Sequence, residues 1–288
     1  MIPRPFAYHA PDTLQAVIAL LSEHGDQAKL LAGGHSLLPM MKLRFAAPDH
    51  LIDLRRVKEL CGIVMSGDEI HIGAMTTEHD IVASALLAEH LPLLVETARQ
   101  IADPQVRYKG TIGGDVSHGD PGNDHPAVML ALGASFVLVG PNGERIVPAA
   151  DFFLGTYATA MEPDEVMTQI RIRKAAAGSG ASYAKLKRKT GDYATAAAAV
   201  VLRLEGGVCA EVSIALTNVA PAAMRADAAE ASLMGKTVDD AAIAEAGRHA
   251  MEACEPAADL RGDEEYKRAM AGQMVERALR AALLRCAA

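Results

Sequence analysis

The sequence predicts an α+β protein of two domains. Three features carry this expectation: a small-residue linker, Lys174-Ala-Ala-Ala-Gly-Ser-Gly-Ala-Ser182; strand patterns and then helical patterns beyond it; and mixed helices and hairpins before it, arranged around one polar stretch, Gln100 to Met129. With 288 residues, both units can bury a core.

Asp12 and Gln15 form a capping-box pattern, and Leu14, Val17, Ile18 and Leu21 recur at helical spacing until Gly25 closes the helix. Ala28 to Ala32 reads as a short buried strand running into Gly33-Gly34, after which Ser36 caps a helix reaching about Phe45. This is the layout of a phosphate loop, and equally of an ordinary tight αβ turn. Leu51 to Leu54 is a further strand, Gly62 to Gly73 a hairpin, and 77–87 and 91–101 are helical.

The stretch from Gln100 to Met129 is too rich in Gly, Pro, Asp and Asn for a helix or an uninterrupted strand, so it is expected as a long ordered loop that meets a ligand. Its centre, Thr111-Ile-Gly-Gly-Asp115, sets two residues without side chains beside a hydroxyl, where backbone N–H groups can approach a diphosphate. A helix follows from about Ala127 to Leu132, then a hairpin from Ser135 to Val139 and Glu144 to Val147, then a strand from Glu165 to Arg173. Past the linker, Tyr183 to Lys187, Ala196 to Leu204 and Val208 to Thr217 read as strands, with Gly206-Gly207 as a turn. From Ala226 onward the pattern is helical, broken at Gly235 and around Pro256 to Gly262.

Composition excludes several classes. A formal charge of −8 without a basic block, no Trp and only 4% aromatics argue against nucleic acid as a partner. No apolar run approaches the roughly 18 residues that cross a bilayer, and no secretory signal opens the chain, so a cytoplasmic protein that is not transmembrane is expected. Cys61, Cys209, Cys254 and Cys286 are scattered at spacings that neither zinc nor iron–sulfur sites use. His118, Asp120, Asp124 and His125 cluster in sequence, but the prolines and glycines among them favour turn chemistry, and no metal is expected.

Standard nucleotide signatures also fail. Gly235-Lys-Thr237 lacks its upstream glycine, and no strand runs into Gly-x-Gly-x-x-Gly. Asp115 and Asp124 are either turn and cap residues or acceptors for ligand hydroxyls or an adenine amino group. Lys185-Leu-Lys-Arg-Lys-Thr-Gly-Asp-Tyr-Ala194 is the one compact basic run; Tyr193 at its end is either a core residue or a ring that stacks on a planar ligand. A ligand with a diphosphate, a polyol and a planar ring would use all of these features, and FAD is such a ligand.

The motifs Ala32-Gly-Gly-His-Ser36, Ile101-Ala-Asp-Pro-Gln105, Thr111-Ile-Gly-Gly-Asp115 and Gly119-Asp-Pro-Gly-Asn-Asp-His-Pro126, with Lys185 to Thr195 and Leu216 to Ala220, together resemble the FAD-binding medium subunits of molybdenum hydroxylases, the xanthine dehydrogenase family. The likeness is greatest to the branch serving aerobic carbon monoxide dehydrogenases and spans essentially the whole chain. It implies a vanillyl-alcohol-oxidase type FAD fold in residues 1–176, in two parts of about 1–56 and 57–176. A domain of a three-stranded sheet and a helical bundle in 177–288 would follow.

By the same resemblance, Ala32, Gly33, Gly34, His35 and Ser36 with Thr111, Ile112, Gly113, Gly114 and Asp115 contact the diphosphate and ribityl regions. Asp124 also binds the cofactor, Lys185 lies near the flavin, and Tyr193 packs on its ring. Asp115 stands where the family has Asn elsewhere, turning a possible donor into an acceptor.

The implied role is electron transfer through FAD, in a dimer of heterotrimers, to an external quinone or cytochrome, in the cytoplasm at the inner membrane face. A large subunit would hold the molybdenum cofactor and a small one two [2Fe-2S] clusters. The rivals are a medium subunit serving N-heterocycles, purines or aldehydes; a self-contained FAD reductase, for which the Ala-rich C-terminal half offers no obvious NADPH site; and a nucleotide-binding assembly module without redox work, which would not need Tyr193 and Lys185 near a ring.

Overall fold

The computed structural model describes residues 1–286. A first part holds β1 (Ala7–His9), α1 (Leu14–His24), β2 (Ala28–Leu31), α2 (Leu37–Leu43) and β3 (His50–Asp53). Its three strands form a parallel sheet of order β1-β3-β2. Thr13, not Asp12, caps α1, its hydroxyl accepting the Ala16 N–H at 3.3 Å. Because the first helical residue is Leu14, the capping oxygen must sit at 13. Val17 and Leu21 are buried with Ile52 of β3, and Gly25 (φ 52°) ends the helix as expected.

A second part comprises β4 (Ile63–Ser66), β5 (Glu69–Gly73), α3 (Glu78–Ala83), α4 (Ala85–His90), α5 (Pro92–Gln100), α6 (Pro104–Arg107), α7 (Ile112–His118), α8 (His125–Ala131), β6 (Ser135–Gly140), β7 (Gly143–Pro148), β8 (Phe153–Gly155), β9 (Ala158–Thr159) and β10 (Val166–Arg173). Five of these strands make an antiparallel sheet of order β4-β5-β10-β6-β7. The central polar stretch is not the long loop expected. Asp103 caps α6 with Pro104 at its first position, and Thr111 caps α7, which ends at Gly119 (φ 65°). Two glycines disfavour a helix by about 1 kcal/mol each. Here tertiary packing overrides that: a Cβ on Gly113 would lie 2.5 Å from the Ala74 side chain, so only glycine lets α7 sit on β5's end.

The third part has β11 (Ser179–Leu186), β12 (Ala196–Glu205), β13 (Val208–Thr217), β14 (Met224–Arg225), α9 (Asp227–Leu233), α10 (Asp240–Ala253) and α11 (Glu264–Cys286). The sheet order β11-β12-β13-β14 adds a two-residue strand to the three expected. β11 also begins at Ser179, inside the segment read as linker. Alternation along β12 explains its small residues. Ala197 and Ala199 join the core shared with α5 and α8, while Ala196, Ala198, Val200 and Leu202 face the core under α9, α10 and α11. All four cysteines are free, and among the described residues no helix is long and apolar enough to cross a membrane.

The tightest of these contacts lies at Gly180, where a Cβ would overlap the Ala282 carbonyl of α11. Gly180→Ala is expected to lower stability by about 2 kcal/mol or more, as overpacking does. The midpoint of urea denaturation measures this. An unshifted midpoint would mean that α11 does not rest on β11 as described.

Candidate flavin site

A cleft of about 830 Å³ opens between the three parts, within the range of roughly 300–1,000 Å³ typical of ligand sites. The loop between β2 and α2, the start of α7, Asp124, Lys185 and Tyr193 all line it. The two glycine pairs, 80 residues apart in sequence, meet there. A Cβ on Gly33 would strike the Lys109 carbonyl, and one on Gly114 would lie 3.3 Å from the Ala32 side chain. Gly34 adopts φ 81°, a left-handed conformation that a residue with a side chain rarely takes.

The two loops present different surfaces. At α7, Ile112 N–H donates to Thr76 O (3.0 Å), Gly113 to Ala74 O (2.9 Å), Asp115 to Thr111 O (3.0 Å), and Gly114 to Thr111 Oγ1 (3.2 Å). Those donors are already engaged. The N–H groups of Gly33, Gly34, His35 and Ser36 have no acceptor among the described residues, which leaves them for an anion. Ser36, at the start of α2, makes no side-chain cap bond, so its hydroxyl is also uncommitted.

The carboxylates divide by partner. Asp124 accepts from Tyr183 Oη at 2.5 Å and from Lys185 Nζ at 2.6 Å, with the Lys185 side chain only 1% exposed. The Lys185 charge is thus compensated within the protein. Burial and then Asp124 push the Tyr183 hydroxyl well above its ordinary pKa, so it stays a donor. Glu78 and His125, both buried, pair at 2.8 Å. Burial alone would lower the His125 pKa, but the charge and hydrogen bond of Glu78, with Asp115 and Asp124 behind, raise it to about 9. Asp115 has no cation in contact, and its Oδ2 is buried without a partner. Burial, held back by His125 and reinforced by Glu78, Asp124 and Asp120, raises it to about 7.

The four residues His118, Asp120, Asp124 and His125 have separate partners. His118 packs at a tilt against Tyr157 (5.0 Å between ring centres), and Asp120 accepts the Gly122 N–H at 2.8 Å, a turn bond as expected. Tyr193 is half exposed at the cleft's edge, with the Arg261 guanidinium 5.4 Å from its ring centre. Asp192, next to it, bonds both Arg188 (2.9 Å) and Arg261 (3.1 Å). Sequence reasoning missed Glu78, Tyr157, Tyr183 and Arg261. Glu78 reads as an ordinary first-turn acid, and Arg261 lies in a segment legible only as a helix break.

A fold of three parts, with an open donor loop and a half-exposed ring lining one cleft, suits a dinucleotide that carries a planar ring. The chain belongs to the family of FAD-binding domains in molybdopterin dehydrogenases, whose description matches residues 4–174; residues 181–282 match the CO dehydrogenase flavoprotein C-terminal domain. It is 58% identical over 287 residues to the carbon monoxide dehydrogenase medium chain of Hydrogenophaga pseudoflava, covering 100% of both, and 51% identical over 285 residues to that of Afipia carboxidovorans, covering 99% of both. A solved chain of carbon monoxide dehydrogenase from Hydrogenophaga pseudoflava, in a form lacking the Mo-pyranopterin moiety, superposes with a TM-score of 0.98 at 60% identity, over 99% of this chain and 100% of that one.

The residues present fit FAD. Free N–H groups at 33–36 suit a diphosphate, the orphaned Asp115 Oδ2 suits a ligand hydroxyl, and Tyr193 offers a ring face.

Asp115 generates a pH prediction. The folded chain keeps its proton up to about pH 7, whereas the unfolded chain releases it near pH 4. The unfolded state binds fewer protons in that window, so this group's contribution to stability falls as pH rises through it. Asp115→Asn is therefore expected to gain stability relative to the native chain from about pH 4 to 7, on the order of 2–4 kcal/mol, and to level off above. Urea denaturation of the apo chain across that range measures the difference, and a pH-independent difference would refute an isolated buried acid.

Proposed function

We propose that this chain is the FAD-binding, electron-transferring medium subunit of an aerobic carbon monoxide dehydrogenase. The observation that carries the reading is full-length identity of 58% to such a medium chain, joined to a cleft whose paired glycine loops leave one loop's donors free. In this reading a large subunit holds the molybdenum cofactor and a small one the [2Fe-2S] clusters, in a dimer of heterotrimers, with residues 1–176 holding FAD and 177–288 closing over it. The location is cytoplasmic, at the inner membrane face, and the acceptor is a quinone or cytochrome.

Bound FAD supplies the capacity to take up electrons and release them to a second acceptor. The chain's own residues bind and orient it. The N–H groups of Gly33 to Ser36 receive the diphosphate, with Ala32 setting the approach and Thr111 to Gly114 forming the opposing wall. Asp115 and Asp124 meet hydroxyls, and Tyr193, steadied by Arg261, packs on the ring. Lys185, held by Asp124, sets the positive end of a neutral pair near the ring and not a free charge. That pairing weakens any bias of Lys185 toward an anionic reduced flavin.

The test is co-expression with the genes of the large and small subunits, followed by flavin extraction and reduction by carbon monoxide. The native complex is expected to hold FAD equimolar with this chain and to bleach on adding carbon monoxide. Gly34→Val is expected to assemble, lose most of its FAD, and still show iron–sulfur bleaching without passing electrons to a dye. Full flavin in that variant would remove the diphosphate role of the 32–36 loop. Bleaching by an N-heterocycle or aldehyde but not by carbon monoxide would overturn the substrate and leave the flavin reading intact.

A further inference from the structure

A cluster of three histidines lies in the first part of the fold, on residues separate from the flavin cleft. His9 ends β1, His50 begins β3, and His24 ends α1. The register explains why they meet. β1 and β3 run parallel with His9 opposite Ile52, so His50, two residues before Ile52, shares that face of the sheet. The same face is covered by α1, whose Val17 and Leu21 pack with Ile52, and the last turn of that helix delivers His24 over the two strand histidines.

The ring centres of His24 and His50 are 3.6 Å apart, and His9 lies 5.4 Å and 5.3 Å from them. His9 Nε2 is 3.0 Å from His50 Nδ1, and one nitrogen from each of the three rings falls within 4.8 Å of the others. All three are partly exposed, so an ion in solvent can reach them.

We propose that His9, His24 and His50 form a binding site for a borderline-soft transition-metal dication, Zn²⁺ being the probe of choice. Three neutral imidazoles are a donor set suited to zinc and copper and poor for magnesium or calcium. Two nitrogens bound tetrahedrally at about 2.0–2.1 Å from zinc sit about 3.3 Å apart, a few tenths of an ångström beyond the His9–His50 separation. The two strands hold that pair close, but the rings meet nitrogen to nitrogen in a hydrogen bond, so each must turn for its lone pair to face a shared ion. The stacked rings of His24 and His50, 13° from parallel, cannot both aim a lone pair at one ion. His24, on the terminal turn of a helix, supplies the movement by turning its ring out of the stack. Water would fill the fourth position, as in three-ligand zinc sites. Bound metal would tie the end of α1 to β1 and β3 and raise the stability of the folded state by mass action.

The test uses the metal-stripped full-length chain, titrated with ZnCl₂ by calorimetry at about pH 8, where free imidazoles are neutral. A single equivalent is expected to bind. His24→Ala, an exposed helix-end change, is expected to weaken that binding at least about tenfold, since loss of a mere outer-shell partner already costs that much. X-ray absorption of the zinc-loaded chain is expected to show only nitrogen and oxygen neighbours, with the outer-shell pattern of imidazole. No saturable zinc uptake, uptake unaltered in His24→Ala, or sulfur in the first shell, which would indicate the exposed Cys61, would each overturn the site.

Discussion

The buried junction of Asp124, Lys185 and Tyr183 is the constraint on which the rest of the cleft depends. Asp124 stands at the start of α8 and its two partners lie on β11, so the contact crosses from the second part of the fold to the third. A buried ion pair is weak evidence of net stability, but removing one member leaves a charge without compensation, typically at 3–5 kcal/mol. The geometry here meets that demand, with the carboxylate using one oxygen for the hydroxyl and the other for the ammonium. Nearby contacts keep the junction closed: Asn218 donates to Ala194 O at 2.7 Å and Gln100 to Tyr183 O at 3.2 Å. With β11 held in this way, the turn carrying Asp192 and Tyr193 is aimed into the cleft.

A second constraint is the absence of side chains where backbones meet. Gly33 lies against Lys109 and Gly110, Gly113 against Ala74, and Gly180 against α11. The first two set the distance between the opposing cleft walls. The consequence for binding is indirect. Gly113 and Gly114 do not themselves offer donors; they allow α7 to approach closely enough that the other loop, with its free N–H groups, faces a wall and not open solvent.

Much of this was legible in the sequence because it follows from short-range rules. Apolar periodicity located α1, the β4–β5 and β6–β7 hairpins and the strands β10, β12 and β13 to within a residue or two, since each buries at least one face in a core. The paired glycines marked the cleft because both occur where a strand or turn gives way to a helix. What was not legible depended on distant partners. Helix α7 forms despite two glycines because Ala74 lies beneath it. Glu78 meets His125 across 47 residues, and Arg261 reaches Asp192 across 69. Thr13 replaced Asp12 as the cap through a one-residue difference in where the helix begins, which hydropathy does not resolve.

The charge balance of the cleft shows why an acid-rich lining is compatible with an anionic ligand. Besides the exposed Asp26 and Glu162, five acids border it, Glu78, Asp115, Asp124, Glu165 and Asp192, a composition that would repel a diphosphate if each were free. Four of the five are answered inside the protein. His125 pairs with Glu78, Lys185 with Asp124, Arg145 with Glu165 at 2.6 Å, and Arg188 and Arg261 with Asp192. The fifth, Asp115, is answered by a proton, because burial makes its charged form costly up to about pH 7. These five carboxylates are therefore arranged as neutral groups, which leaves only the solvent-exposed Asp26 and Glu162 of the described lining uncompensated, and a protonated Asp115 regains the donor that an Asn would have supplied at the same position.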